Sequence, residues 1–450
     1  MHYAGFSLAT AMAAVSALLL TSLSTTTEAV TPCNPETCVH PACVCPSMKP
    51  PKGMDPKMAP QFFTLAFDDT VQAPTVPVAR ALMSSHINPN GCPIKAPWFA
   101  QTIYSDYSLI QQWYAAGNEV ADHTMTHVAI PPAEEIVGNR KAINAFSGVP
   151  FSNLNGFQTT FQILGQEKFL YSSTNAVPSD AYWPYTLDNG LHNDCWNGIC
   201  DKGIPTPGMW EIPMHAIMDN KVPTLAHAMD VHLDGFSSEV PIWLRENFNR
   251  HYNGDRAPFG LPSPSSSSKP DVWFFTNQQL IEWMKNPVPA SQLADQPYMN
   301  CTLPAIGKEI CNGLDDMKSG TTDKSVLETC SFVEGPWSTC YGCPKSMPSP
   351  SDPVPERVVA TGQSGYRTPV STTCAMEWWD PIEAKCLCQS TNCTFADTAI
   401  PTNTKDPNGS SGSSDPSSKS SASGKHWIKD AWLVTSMGLV IATVAGAQLF

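Results

Sequence analysis

Basic charge is scarce in this chain. Its 450 residues carry 26 lysines and arginines against 40 acidic residues, a formal net charge of −14 at pH 7. Nothing supplies the positive face that phosphate backbones require, which excludes nucleic acid as a partner. The acidic balance is compatible with a neutral or cationic polymer. No internal repeat of fixed period is present, which sets aside a solenoid or propeller. Cysteine is missing from the first 29 residues, and all sixteen fall after them. An even number in a chain bearing export signals leads us to expect disulfides, without fixing their connectivity.

The two ends read as targeting segments. Residues 1–29 have a short mixed start, an apolar stretch around Ala11–Leu20 and then small and hydroxylated residues, the pattern of a secretory signal. That apolar core is shorter than the roughly 20 residues a membrane-spanning helix needs. At the other end, residues 401–424 hold a Ser/Gly/Pro-rich linker, Asn408–Gly424, that cannot bury a core. Residues 425–450 are a polar spacer and an apolar tail, Ala431–Phe450. This fits a glycosylphosphatidylinositol attachment signal better than a tail anchor, with attachment expected within Ser420–Gly424. Sequons at Asn300, Asn392 and Asn408 agree with the secretory route, so the expected location is the outer leaflet of the plasma membrane or the cell wall.

Between the ends, Cys33, Cys38, Cys43 and Cys45 crowd residues 30–55, a small disulfide-tied lead-in. Residues 56–290 alternate strand-like apolar runs with longer helical ones, as in QFFTLAF, SLIQQWYAAG, DVWFFT and NQQLIEWMKNP. Such alternation predicts an α/β barrel or a doubly wound sheet, with any site at the carboxyl ends of its strands. Residues 291–400 are Pro/Ser-rich with nine cysteines, and read as a disulfide-supported extracellular appendage. In that region WSTCYGC (337–343) and CAMEWWD (374–380) are candidates for a carbohydrate-binding patch.

The chemistry is expected where QFFTLAFDDTV (61–71) stops on Asp68 and Asp69. Consecutive strand residues face opposite ways, so the two carboxylates cannot share one role. A second signal is NEVADHTMTHV (118–128), in which His123 and His127 stand four apart. On a helical turn both imidazoles would share a face and grip one cation. Two imidazoles and one aspartate form an open three-ligand site, and the other aspartate would serve as general base to the attacking water.

FDD followed by HTMTH resembles the first two motifs of the polysaccharide deacetylases with the NodB-homology fold. INPNGCPIKAPWF (87–99), WPYTLD (183–188), MWEIPM (209–214), NFNRHYNGDRAPFGL (247–261) and QLIEWMKNP (279–287) resemble the chitin-deacetylase-like branch. The resemblance covers about residues 33–290 and implies a distorted (β/α) barrel with Cys-rich disulfide-tied flanks. It also implies Asp69, His123 and His127 as ligands of a divalent metal, most often zinc in this family, with cobalt the alternative. Asp68 would be the base, and the backbone N–H of Phe161 the oxyanion donor. The substrate would be the N-acetyl groups of chitin or a related cell-wall glycan. Trp98, Trp183, Tyr185 and Trp210 are candidates to line the sugar groove.

Two positions depart from the family pattern. In NGFQTTFQ (155–162) Gln158 stands where the family has an arginine, and a neutral amide cannot make the charged bidentate pair that orients the base. After RAPFGL the chain continues into PSPSSSS, so Pro264 takes the place of the general-acid histidine. Losing that acid costs roughly 10²–10⁴ in rate. His215, His227 and His232 are the histidines that a substitute would have to come from. Two readings follow: a deacetylase of low activity, and a deacetylase-like protein that binds cell-wall carbohydrate without useful turnover.

Overall fold

The apolar run that begins at Gln61 forms two short strands with different partners, and this split organises the molecule. The structure is a computed structural model that describes residues 32–128, 131–157, 161–173, 176–177, 181–193, 204–222, 225–227, 238–260, 269–301, 327–339, 341–358, 379–380 and 385–386. The strands in chain order are β1 (Gln61–Phe63), β2 (Phe67–Asp69), β3 (Pro97–Ala100), β4 (Glu119–Asp122), β5 (Gly156–Phe157), β6 (Tyr171–Ser172) and β7 (Ala176–Val177). There follow β8 (Tyr185–Thr186), β9 (Trp210–Glu211), β10 (Met214–His215), β11 (Ile217–Met218), β12 (Ala226–His227) and β13 (Val272–Phe274).

Seven of these make one sheet in the order β2-β3-β4-β5-β6-β9-β8, parallel except for β8. β1 pairs in parallel with β13 instead, so the single run 61–69 joins β13 at its start and β3 at its end. The expected α/β class is observed. Closure into a barrel is not: among the described residues no ladder joins β8 or β9 to β13.

Helices Thr75–Ser84, Tyr107–Ala115 and Ala133–Ser147 follow β2, β3 and β4 in turn. The second starts cleanly because Asp106 accepts from the N–H groups of Ser108 and Leu109, satisfying donors that a helix start leaves orphaned. Ala133–Ser147 ends at Gly148, whose φ of +74° is the left-handed stop that glycine adopts without strain. Between helices and sheet lie interlocked rings: Trp98 and Trp113 meet edge to face at 5.1 Å, with Phe67 against both. On the opposite side Trp183 stacks on Trp283 and meets Phe62 edge-on.

The N-terminal lead-in holds disulfides Cys33–Cys45 and Cys38–Cys43. It lies along edge strand β8, where Thr186 and Trp183 donate their backbone N–H to the carbonyls of Val44 and Ser47. An exposed strand edge is thereby covered. The packing continues beyond residue 290: Leu293 and Met299 are buried and Cys301 is bonded to Cys92.

The cysteine-rich segment 327–358 is tied to the α/β body as well as to itself. Its disulfide is Cys330–Cys343, and Trp337 packs between Tyr107 and Phe146. Trp337 and Tyr341 are 2% and 1% exposed, so the WSTCYGC stretch packs inward and presents no ring to a carbohydrate. At CAMEWWD the described residues are Trp379 and Asp380, and Asp380 is buried against the Tyr114 hydroxyl. No helix among the described residues is long and apolar enough to cross a membrane. The signal segment, the C-terminal linker and tail, Asn392 and Asn408 lie outside the described residues, whereas Asn300 is exposed.

Candidate metal centre

Strand register sets the site. Asp69 of β2 lies beside Ala100 of β3, Ala100 beside Asp122 of β4, and Asp122 beside Phe157 of β5. That row is the carboxyl edge of the sheet, so the loops beginning at Thr70, Gln101 and His123 all leave from one rim. Asp69 Oδ1 is 3.4 Å from His123 Nε2 and 3.5 Å from His127 Nε2. One donor atom from each of the three residues lies within 4.8 Å of the others. These spacings are long for hydrogen bonds. They suit a shared cation, since ligand atoms bound at about 2.0–2.1 Å to one tetrahedral ion stand about 3.3 Å apart. An oxygen and two imidazole nitrogens are also the donor types that zinc and cobalt accept. The site is open: His123 is 12% exposed, Asp69 42% and His127 58%. The His123 imidazole beside it holds the Asp69 carboxyl below the usual carboxylate range, against the upward push of partial burial.

The histidine pair does not sit on a helical turn as its spacing predicts. Residues 123–128 form an irregular loop, with Thr124 at φ +68° and His127 at φ +58°. Two left-handed residues bend the chain back within four positions, bringing both rings to one point by another route. Such backbone costs of order 1–3 kcal/mol per residue, so surrounding contacts must hold it. Glu135 supplies them from helix Ala133–Ser147. Its carboxylate, 5% exposed, accepts from the backbone N–H of Met125 at 3.0 Å, that of Thr126 at 2.9 Å and the Thr126 hydroxyl at 2.6 Å. Within the loop, the Thr124 hydroxyl accepts from the N–H of His127. Gly138, on the same helix, leaves room for Met125: a Cβ there would stand 2.5 Å from the methionine sulfur.

Asp122 and Asn139 brace the rim from beneath. Asn139 donates to the carbonyl of Ala100 and to Asp122 Oδ1, which also accepts from the N–H of Thr124. Burial pushes the Asp122 carboxyl up to about 7. Trp98 donates its indole N–H to the carbonyl of Asp69 at 3.3 Å, which orients the ligand strand from the core side. Glu135, Asn139 and Asp122 escaped the sequence reading because each acts through a fold-level contact that no local spacing announces.

The expected aromatic groove residues are in the core. Trp98, Trp183, Tyr185 and Trp210 are 3%, 1%, 0% and 2% exposed. Rings this buried have no free face for a pyranose. Asp68 precedes Asp69 within β2 and is partly buried. Phe161 opens the six-residue helix Phe161–Gln166. Gln158, Pro264 and His232 lie outside the described residues. His215 is buried, and burial holds its ring down at about 3, far from a neutral-pH acid. His227 is stacked on Trp243 at 4.1 Å with Asp219 beside its Nε2.

A parallel α/β sheet that gathers an Asp-His-His set and a second aspartate at its carboxyl edge defines a candidate metal-assisted hydrolase. Comparison with known proteins narrows the class. The chain is 28% identical over 385 residues to Chitin deacetylase 8 of Bombyx mori, covering 75% of this chain and 97% of that protein. It is 25% identical over 380 residues to Chitin deacetylase 1 of the same organism, covering 72% and 68%. No family model matches the chain. Over about three quarters of its length the chain is thus similar to chitin deacetylases, and resembles the chitin-deacetylase-like polysaccharide deacetylases.

Proposed function

We propose that this chain is a metal-dependent hydrolase that removes N-acetyl groups from chitin or a related cell-wall glycan. On this reading it is exported, glycosylated and held at the outer surface by its lipid anchor. The observation that carries the reading is the convergence of Asp69, His123 and His127 on one point beside Asp68. Asp69, His123 and His127 would hold a divalent ion, zinc or cobalt. When bound, the ion would polarise the acetamide carbonyl and make the attacking water more acidic.

Asp68 takes a proton from water as the oxygen attacks the carbonyl carbon. The backbone N–H of Phe161 donates to the oxyanion that develops. Pro264 has no proton to give, so the proton held on Asp68 passes to the nitrogen as the C–N bond breaks. The products are acetate and a free amine, and no further acid is required. Without a cationic partner at position 158 the base is less well oriented, and turnover is slower than in a complete site.

Gln158 and Pro264 also favour a second reading, in which the fold keeps metal and sugar affinity without useful turnover. Acetate release from chitin oligosaccharides separates the two, measured with zinc, with chelator, and beside Asp68→Asn. The proposal expects release that needs the metal and falls at least about 100-fold in Asp68→Asn. Release no greater than that of the variant, with zinc still bound, overturns turnover in favour of binding.

A further inference from the structure

Four of the seven left-handed non-glycine residues in the described chain lie on one rim, Asp69 at the end of β2 and Tyr104, Thr124 and His127 in the two adjoining loops. Three of them hold or shape the ligand cluster, whereas Tyr104 does neither. It is 52% exposed, whereas the other phenylalanine, tyrosine and tryptophan side chains whose burial is described are buried or half-buried. A bulky side chain at φ +62° is rare, and the position would be easier for glycine.

The surroundings fix Tyr104 between the two ligand-bearing loops. On one side, Ile103 donates its N–H to the carbonyl of Met125, midway between His123 and His127, at 2.9 Å. On the other, Gln72, three residues past Asp69, donates its side-chain amide to the Tyr104 carbonyl at 3.0 Å. Ser105 receives the N–H of Val71 on its hydroxyl, and Asp106 donates its N–H to the Val71 carbonyl. The backbone is thus tied on both sides while the ring is left to solvent. In the neighbouring loop, to which Ile103 is tied, His127 and Val128 are also exposed.

We infer that Tyr104 is the stacking platform that holds a pyranose ring of the glycan over the Asp68–Asp69 edge. The inference rests on the function proposed above and adds the residue that orients the polymer. An aromatic face packs against the C–H face of a sugar by dispersion, and a ring anchored by rigid loops loses little freedom on binding. It also supplies what the four buried rings cannot, an accessible aromatic face at the carboxyl rim.

The test compares the full chain with Tyr104→Phe, Tyr104→Ala and Tyr104→Gly. The glycine variant relieves the left-handed backbone while removing the ring, so it folds even where alanine does not. KM and kcat for acetate release from chitin tetrasaccharide are read together with direct tetrasaccharide binding and zinc affinity. Tyr104→Phe should match the parent. Tyr104→Ala and Tyr104→Gly should raise KM and weaken binding about tenfold, with kcat and zinc affinity unchanged. Parent-like KM and binding in Tyr104→Gly overturns the platform alone. A parent that neither releases acetate nor binds the tetrasaccharide overturns the function proposed above and the platform with it. A parent that binds without turnover leaves the binding arm to decide.

Discussion

Two clusters in this molecule are built from the same residue types and behave in opposite ways. At the rim, Asp69, His123 and His127 bring one donor atom each to a common point that water reaches. In the interior, His251 Nδ1 is 2.8 Å from Asp255 Oδ1, and the His215 ring lies 5.4 Å from that of His251, centroid to centroid. Here His215 and His251 are 4% and 1% exposed, and the Nε2 of each is buried without a hydrogen-bond partner. The Asp255 carboxylate is committed to His251 and to the N–H of Ala257. Histidine and aspartate alone therefore do not make a centre. What matters is convergence on one open point, held by backbone that is tied down elsewhere.

The comparison breaks most sharply at Asp69. Asp69→Ala leaves two imidazoles, one of them well exposed, and no anionic ligand. Zinc affinity should fall by more than the 10–100-fold typical of an outer-sphere change, and acetate release should fall with it. Equilibrium dialysis against zinc measures this without relying on turnover. Unchanged affinity would mean that the cluster is not the metal centre.

Next in size is Glu135→Ala. Removing this carboxylate strands two backbone N–H groups and one hydroxyl in a half-buried loop, at a cost of about 2–4 kcal/mol. His123 and His127 lose the fixed geometry that the loop gave them, so zinc affinity should drop about 10–100-fold even though no ligand is altered. Thermal unfolding and zinc titration of the same variant check both halves. A stability loss with parental zinc affinity would show that the loop keeps its shape without Glu135.

Much of this rim was legible in the sequence, and the part that was not has a physical reason. FDD closing an apolar run marks a strand end, and strand–helix alternation places that end where parallel sheets carry sites. The interval between His123 and His127 correctly pairs the two rings but not the backbone beneath them. A helical turn and a loop with two left-handed residues both bring positions four apart together, and periodicity does not distinguish them. Ring type misled in the same way. Trp98, Trp183, Tyr185 and Trp210 carry the size expected of sugar platforms, but which rings face water is decided by tertiary packing. Tyr104 stands in a turn that shows no apolar pattern. The segment 327–358, with short apolar runs and many prolines, gave no sign that Trp337 would fill a gap between helices Tyr107–Ala115 and Ala133–Ser147.

The interior cluster supplies the smallest and most selective prediction. Burial, reinforced by the charge of His251 nearby, holds the His215 ring neutral down to about pH 3. In the unfolded chain the same ring takes up a proton at about 6.5. Between those values the unfolded state binds a proton that the folded state refuses, so stability falls as pH drops through the window. The slope contributed is at most about 1.4 kcal/mol per pH unit. His215→Phe keeps a ring against His251 and removes the titration. Its stability should therefore decline less steeply than the parent's between pH 6.5 and 4, with zinc affinity and acetate release unchanged at pH 7. Urea unfolding across that range gives the slopes, and identical slopes would sink the argument. Loss of acetate release in a variant that still binds zinc would instead show that the interior cluster supports the rim, and would join the two clusters into one unit.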